Sequence, residues 1–397
     1  MSLSSQLEEV KTKYTSTIGG KVVRLNKLTG SVASLVLALG VTGSAFTVTS
    51  AQGAVNASTA TSAADFGGIA GLTAACKKEG TLNIIADPHD WANYGAIISG
   101  FKAKYKVKIN EANPNGSSQD EINAANQLKG TKRAPDVFDL GQAVLYANTE
   151  ILAPYKVLAW PHIPASFKAP NGLFTKDYGG IMSVGYDASL GTVTSLNDLL
   201  GSQFAGKVAL NGDPTKASAG MNGVLMASLA NGGSLSDISA GVAWFKKLAA
   251  AGNFINVDPS PATIASGQTP VVFDWDYNQA ATVKAYAAAG KKWNVFFPTG
   301  ALVGAYYNQA VDLYAPHPAC ARLWMEYVFS PVGQNAWLVG GSRPILTDYM
   351  VKTGTINKAA LAALPTVKGA AVIATPNQTK AANDYLSANW AAAVGTR

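Results

Sequence analysis

The sequence predicts an α/β fold, and three observations carry that prediction. From residue 80 onward, short apolar runs alternate with stretches whose apolar residues recur at helical spacing. Hydrophobic residues make up 48% of the 397 positions against 14% charged, which supplies a sizeable core. Turn-forming clusters such as Asn211-Gly-Asp-Pro214 and Asn231-Gly-Gly233 punctuate the runs. The length suits about two to three domains, and no repeat of roughly 20–50 residues is visible.

Thr81-Leu-Asn-Ile-Ile-Ala86 reads as the first strand, followed by a helix bearing Tyr94, Ile97, Ile98, Phe101 and Tyr105. Val107-Lys-Ile-Asn110 is a second strand, residues 119–129 a helix, and Asp136-Val-Phe-Asp-Leu140 and Ile181-Met-Ser-Val-Gly-Tyr186 further strands. A second block opens at Ser195-Leu-Asn-Asp198, a helix-start pattern. It continues with a strand over Lys207-Val-Ala-Leu-Asn211, helices over 221–231 and 236–252, and the strand Val271-Val-Phe-Asp-Trp-Asp-Tyr277 entering a helix over 278–289. Trp293-Asn-Val-Phe-Phe297 is a strand, residues 301–314 are extended, and helices over 317–329 and 332–339 lead into a helical tail.

Residues 1–54 read as an address. Lys21, Arg24 and Lys27 precede an apolar stretch from Val32 to Val48, and small residues follow at Ala51-Gln-Gly-Ala54, the order of a secretory signal peptide. The alternative is an uncleaved anchor; the stretch approaches the length of ~18 residues at which an apolar segment spans, but Gly, Ser and Thr dilute it. Export to the periplasm or cell surface is expected, with residues 55–77 as a flexible linker rich in Ala, Ser, Thr and Gly. In such an oxidising compartment the two cysteines, Cys76 and Cys320, either pair or stay as two small buried apolar residues. The net charge of +7 includes five Lys/Arg against two Asp/Glu in the leader, leaving +4 beyond it, scattered without a basic run. Nucleic-acid binding is not expected.

Within Val271–Tyr277 two carboxylates lie beside aromatic rings at the end of an apolar run. A regular strand puts Asp274 and Asp276 on one face and Phe273, Trp275 and Tyr277 on the other. Carboxylates next to aromatics suit an organic cation. Asp276 also fits a helix N-cap, with Gln279 three residues on completing a capping box.

Several ordered fragments carry a family resemblance: Glu79-Gly-Thr-Leu-Asn-Ile84, Ala134-Pro-Asp-Val-Phe-Asp139, Leu152-Ala-Pro-Tyr155, Gly206-Lys-Val-Ala-Leu210, Ala315-Pro-His-Pro318, Trp324-Met-Glu-Tyr-Val-Phe-Ser-Pro331 and Gly341-Ser-Arg-Pro344. From about residue 79 to 345 the chain resembles the extracellular solute-binding proteins of ABC importers, in the family with polyamine-, ferric-iron-, thiamine- and aminoethylphosphonate-binding members. The resemblance implies a two-lobed periplasmic-binding-protein-like (type II) fold with two extended interlobe crossings. Lobe 1 would comprise residues 78–187 and 300–397, and lobe 2 residues 188–299. It further implies a monomer that binds a small molecule by lobe closure and docks on a permease, with no cofactor. Contact with the membrane would come only through the permease or an uncleaved leader.

Ligands of open α/β sheets sit beyond the carboxyl ends of strands, which marks the loops there as the candidate site. After the first strand, Asp87-Pro-His-Asp-Trp91 offers Asp87, Asp90 and Trp91, with Asp90 alternatively capping the next helix. Ser117 and Ser118 open one helix, Ser218 and Gly220 another, where exposed backbone N–H groups suit an anion or serve as ordinary caps. Gln142 follows a strand; Asp139, within it, reads equally as structural. Tyr306 and Tyr307 are adjacent, so one at most faces the ligand. Asp274, Trp275 and Asp276 complete the set. The acidic and aromatic members favour a small organic cation such as a polyamine, and the helix starts an aminophosphonate. Ferric iron is a rival, but the iron-binding relatives carry a tyrosine pair where this chain reads Asp274-Trp275-Asp276. The histidines at 89, 162 and 317 lack metal-ligand spacing. A secreted enzyme using cleft carboxylates, or an anchored sensory ectodomain, are the readings from other classes, and no catalytic motif supports the first.

Overall fold

The computed structural model describes residues 55–395. The expected leader, residues 1–54, lies outside them. In chain order the elements are α1 (Ile69–Glu79), β1 (Thr81–Ile85), α2 (Tyr94–Tyr105), β2 (Lys108–Ala112), α3 (Ser118–Leu128), β3 (Val137–Leu140), α4 (Gln142–Ala147), β4 (Leu152–Ala153), β5 (Thr175–Asp187), β6 (Val208–Leu210), α5 (Ser218–Ala230) and α6 (Ser239–Ala250). There follow β7 (Phe254–Ile255), α7 (Pro261–Ala265), β8 (Val271–Trp275), α8 (Asp276–Ala288), β9 (Trp293–Phe296), β10 (Gly304–Asp312), α9 (Pro318–Val328), α10 (Pro331–Val339), β11 (Arg343–Pro344), α11 (Thr347–Thr353), α12 (Lys358–Ala362) and α13 (Pro376–Val394).

The long strand β5 organises the molecule. Its first half pairs antiparallel with β10 and β11, its second half with β8 and β9, in a sheet ordered β3-β10-β5-β8-β6-β7. β6 lies parallel to both β7 and β8, while β1 and β2 form a separate parallel pair. The loops beyond β1, β3, β6 and β8 lead into helices, which is how α/β connections present side chains at strand ends.

Three devices fasten the chain's described start to α9. Cys76 and Cys320 are joined by a disulfide. The Glu79 carboxylate accepts the backbone N–H groups of Ala319 and Cys320 (2.9 and 2.8 Å), satisfying two orphan donors at a helix start whose first residue is Pro318. Arg322, 1% exposed, donates to the carbonyls of Ala60 and Ser58. These contacts correct the expected linker at 55–77. Ala60, Ala63, Phe66, Leu72 and Cys76 are buried, and α1 is a full helix ended by Gly80 at φ 75°. The Ala/Ser/Thr/Gly composition that resembles a linker is small-residue packing against α9.

The expected capping box at Asp276 is also corrected. The N-cap of α8 is Trp275, without a side-chain bond. Gln279 turns to the sheet, donating to the Val272 carbonyl and accepting from the Trp293 indole. At the other end, α13 packs chiefly on α6 and also touches α4 and α5, with Trp390 against Phe245 and Phe254 at 5.3 and 6.0 Å. The tail expected to stay with the first lobe thus returns to the second block.

The disulfide closes a span of 244 residues, so its removal releases a large denatured-state entropy. The Cys76→Ser/Cys320→Ser double variant is expected to lose about 3–5 kcal/mol, read as a lower urea midpoint with a steeper slope as the denatured chain expands. An unchanged midpoint would show that the Glu79 and Arg322 contacts suffice.

Candidate functional site: a buried acidic and aromatic centre

A β-bulge builds the middle of the site. Tyr306 pairs with Gly179, yet Asn308, two residues on, pairs with Lys176, so β5 carries an extra residue opposite Tyr307. The bulge breaks the two-residue alternation, and the neighbours Asp177 and Tyr178 are both fully buried. The loop after β1 supplies a second wall. Ala86, Ala92 and Asn93 hold positive φ (62°, 46° and 68°), a conformation that costs about 1–3 kcal/mol per non-glycine residue and clusters at functional sites. That loop carries Asp87 and Trp91. The junction of β8 and α8 brings in Asp274, Trp275 and Tyr277.

Four rings make a closed circuit: Trp91 to Tyr277 at 5.7 Å, Tyr277 to Trp275 at 6.4 Å, Trp275 to Tyr307 at 6.4 Å, and Tyr307 back to Trp91 at 5.8 Å. The middle of a circuit of that size lies within about 6 Å of every centroid, the reach of a cation–π contact. Tyr178 backs it, 5.8 Å from Tyr277 and stacked at 5.7 Å on Tyr307. Its hydroxyl accepts from the Trp91 indole N–H (2.9 Å) and donates to Asp139 Oδ2 (2.9 Å). One phenol therefore fixes both a ring and a carboxylate.

Around these rings lie five buried carboxyl groups: Asp87, Glu121, Asp139, Asp177 and Asp274. Burial, foremost, pushes Asp87, Glu121 and Asp177 well above the usual carboxylate range, and repulsion from Asp139 adds to each. Asp139 is raised by burial to about 6 against hydrogen bonds from Tyr94, Asp177, Tyr178 and Gln309. Asp274 is raised by burial to about 7, although Trp275 N–H, Asn278 and Asn211 donate to it. No lysine, arginine or histidine is among the main groups acting on these five. Asp87 Oδ1, Asp139 Oδ1, Asp177 Oδ2, the Trp275 indole N–H and the Tyr277 hydroxyl are buried without a partner. The shell thus holds several buried acceptors with no base among the groups acting on them.

Asp87, Trp91, Asp274, Trp275 and Tyr307 from the expected set come together here. Others do not. Asp276 is paired with Arg343 and accepts from Ile181 N–H, so its carboxylate holds the strand rather than a guest. The Tyr306 ring packs on Phe167 at 4.8 Å, on the far face from Tyr307. Asp90 is exposed and caps nothing, since the N-cap of α2 is Asn93. Ser117 and Asp120 cap α3 reciprocally, and Ser118 Oγ accepts Gly141 N–H (3.0 Å). With Asp120 and Glu121 in its first turn, α3 disfavours an anion. Ser218 accepts from Asn222, and a side chain on Gly220 would collide with the Gly212 carbonyl. A Cβ on Gly141 would stand 2.5 Å from Ser218 Cβ, so the starts of α4 and α5 touch, leaving a gap of about 10 Å³, room for one water, near buried Gln142.

Sequence reasoning missed Asp177, Tyr178, Tyr277 and Glu121 as members of the centre and left Asp139 undecided. A bulge places Asp177 and Tyr178 and a strand-to-helix turn Tyr277, and neither follows from strict alternation, while Glu121 comes from α3 and Asp139 from β3. The one available signal was a cluster of acids and tyrosines in otherwise apolar runs.

The family described as bacterial extracellular solute-binding protein matches residues 135–364. No curated protein matches. Among solved structures the chain is similar to the periplasmic binding protein AfuA from Actinobacillus pleuropneumoniae with fructose-6-phosphate bound (18% identity, TM-score 0.62, covering 80% of this chain and 100% of that one). It is likewise similar to AgtB from A. tumefacien R10 in complex with agropinic acid (13%, TM-score 0.63, 80% and 99%) and to iron-bound HitA from Pseudomonas aeruginosa (18%, TM-score 0.54, 77% and 97%). At these identities the likeness is one of fold, the two-lobed fold of periplasmic binding proteins.

Acids whose pKa is higher folded than unfolded favour the fold below their unfolded value, near pH 4, and lose that contribution as pH rises through the folded value. Asp139 at about 6 and Asp274 at about 7 set the window. The melting temperature without ligand should therefore fall from about pH 4 to pH 7, followed by differential scanning fluorimetry. Asp65 and Asp198, lowered by backbone hydrogen bonds, change their contribution only below about pH 4, outside that window. A melt that rises over that window would contradict the assignment.

Proposed function

The chain belongs to the bacterial extracellular solute-binding protein family, and from that premise we propose that its buried centre captures a small organic cation, such as a polyamine, for an ABC importer. One observation carries the reading: a closed circuit of four aromatic rings surrounded by five buried carboxyl groups with no basic residue among the groups acting on them. Desolvating an ammonium is costly unless carboxylates and ring faces replace its water. A desolvated cation–π contact contributes about 2 kcal/mol or more, and charge-assisted hydrogen bonds add to it.

In this reading β5 and the chain between β9 and β10 are the two crossings. Lobe 1 comprises residues 55–187 and the chain from 300 to about the start of α13, and lobe 2 comprises residues 188–299 together with α13. The rings come from both sides, Trp91 from lobe 1 and Trp275 and Tyr277 from lobe 2, so a guest between them favours the closed form. The known relatives are binding proteins, and the centre is read as a binding site that makes and breaks no bond. Ferric iron is less favoured here, because the iron-binding relatives carry a tyrosine pair where this chain reads Asp274-Trp275-Asp276.

Spermidine or putrescine should raise the melting temperature of the purified protein, while fructose-6-phosphate and ferric citrate leave it unchanged. Stabilisation by the phosphate or the iron complex alone would overturn the cation assignment. Asp274→Asn should weaken putrescine binding by roughly 2 kcal/mol in calorimetry. An unaltered dissociation constant would reduce Asp274 to a support for Asn278.

A further inference from the structure

We propose that residues 363–375 form a third crossing between the lobes, and that α13, into which they lead, is a latch across the cleft that holds the lobes closed through α4. The inference rests on the proposed lobe boundaries and adds to them a device that sets the balance between open and closed forms before any ligand binds.

The third crossing is tied to the second. Gly304 N–H donates to the Val372 carbonyl and Val372 N–H to the Leu302 carbonyl, both at 2.9 Å, around a parallel bridge of Val303 with Val372. The stretch between β9 and β10 absorbs the bend when lobes move, so residues 363–375 follow it. Past the bridge, Thr375 and Gln378 form a capping box and Pro376 opens the first turn, which starts α13 directly after the crossing.

α13 is fixed to lobe 2 along its length. Near its start Gln378 Nε2 donates to Ser236 Oγ (3.0 Å), and at its end the Val394 carbonyl accepts from Asn256 Nδ2 (3.4 Å). Between these bonds Thr379, Ala382, Leu386 and Trp390 recur at helical spacing and are all buried. Trp390 meets Phe245 of α6 and Phe254 of β7. Held at both ends and along one face, the helix moves as part of lobe 2.

The same helix also touches α4, which belongs to lobe 1. Asn383, half-buried beside the apolar stripe, lines the gap of about 10 Å³ together with Gly141, Ala143 and Val144 from the start of α4 and Ser218 from the start of α5. A Cβ on Gly141 would stand 2.5 Å from Ser218 Cβ, so the two lobes are in contact at this point. Parting α4 from α5 must also part it from α13, because α13 stays with α5 and α6. The closed form therefore carries an interlobe contact that needs no ligand and lies outside the ring circuit, and such a contact shifts the population of the two forms.

The test is small-angle X-ray scattering of the full chain without ligand. Deleting α13 would bare Phe245 and Phe254 and risks misfolding, so point variants carry the experiment. Asn383→Trp places a large side chain where the gap has room for about one water, so α4 and α13 cannot both keep their places, and the radius of gyration should increase. Ala143→Trp, entering the gap from α4, should do the same. Ser387→Trp, on the exposed side of α13, should leave the radius unchanged. Calorimetry with putrescine should show about tenfold weaker binding for Asn383→Trp, since the form that takes the ligand is less populated. Radii for both gap variants equal to that of the parent, with cooperative melts retained, overturn the latch whatever the ligand. An expanded Asn383→Trp together with a parent that does not bind putrescine upholds the latch and overturns the cation reading.

Discussion

Burial of carboxyl groups without counter-charge is the constraint around which this structure is arranged. Removing an ionised carboxylate from water costs several kcal/mol unless partners replace the lost hydration. Elsewhere the protein provides those partners. Asp136 is held by His317 and by Asn83 N–H, Asp276 by Arg343, and Glu326 by Tyr155 and Leu158 N–H. At the centre it does not, and the acids there stand well above their ordinary range. At the centre, Asp87, Asp139 and Asp177 each keep a buried carboxyl oxygen without a partner, as Asp312 does elsewhere, and these are left to protons or to a guest.

The remainder of the molecule keeps that unfavourable centre in shape. β5 runs through both halves of the sheet, and its bulge aims Asp177 and Tyr178 inward together. Tyr178 then ties Trp91 to Asp139, so the ring circuit and the acid cluster cannot move independently. The disulfide, Glu79 and Arg322 anchor the start of the described chain on α9, whose Trp324 reaches Gln309 at the edge of the centre. Stability generated at the periphery offsets strain and desolvation at the site, a division common in proteins that must accommodate a ligand.

The α/β class and nearly every principal element were legible in the sequence, because apolar periodicity reports which face is buried. The site was legible in composition but not in direction. Strict alternation puts Tyr277 with Trp275 and Asp274 on the opposite face; the strand ends at Trp275, and the turn into α8 leaves Asp274 acting on Tyr277 and Tyr307 as well. Asp177 and Tyr178 were hidden for the same reason, since a bulge has no reliable signature in a single sequence. Composition also misled at residues 55–77, where small residues signified close packing on α9 rather than a flexible tether. Local patterns record burial well; they do not record which long-range partner, such as Arg343 for Asp276, will claim a given carboxylate.

The central claim is that the acidic and aromatic centre exists to receive a cation. The most direct measurement is a crystal structure of the protein grown with putrescine, read for the position of its nitrogen atoms. The account predicts one nitrogen inside the circuit of Trp91, Trp275, Tyr277 and Tyr307, facing the surrounding carboxyl groups. An empty ring circuit, with the ligand or an anion seated instead at the starts of α3, α4 and α5, would contradict it.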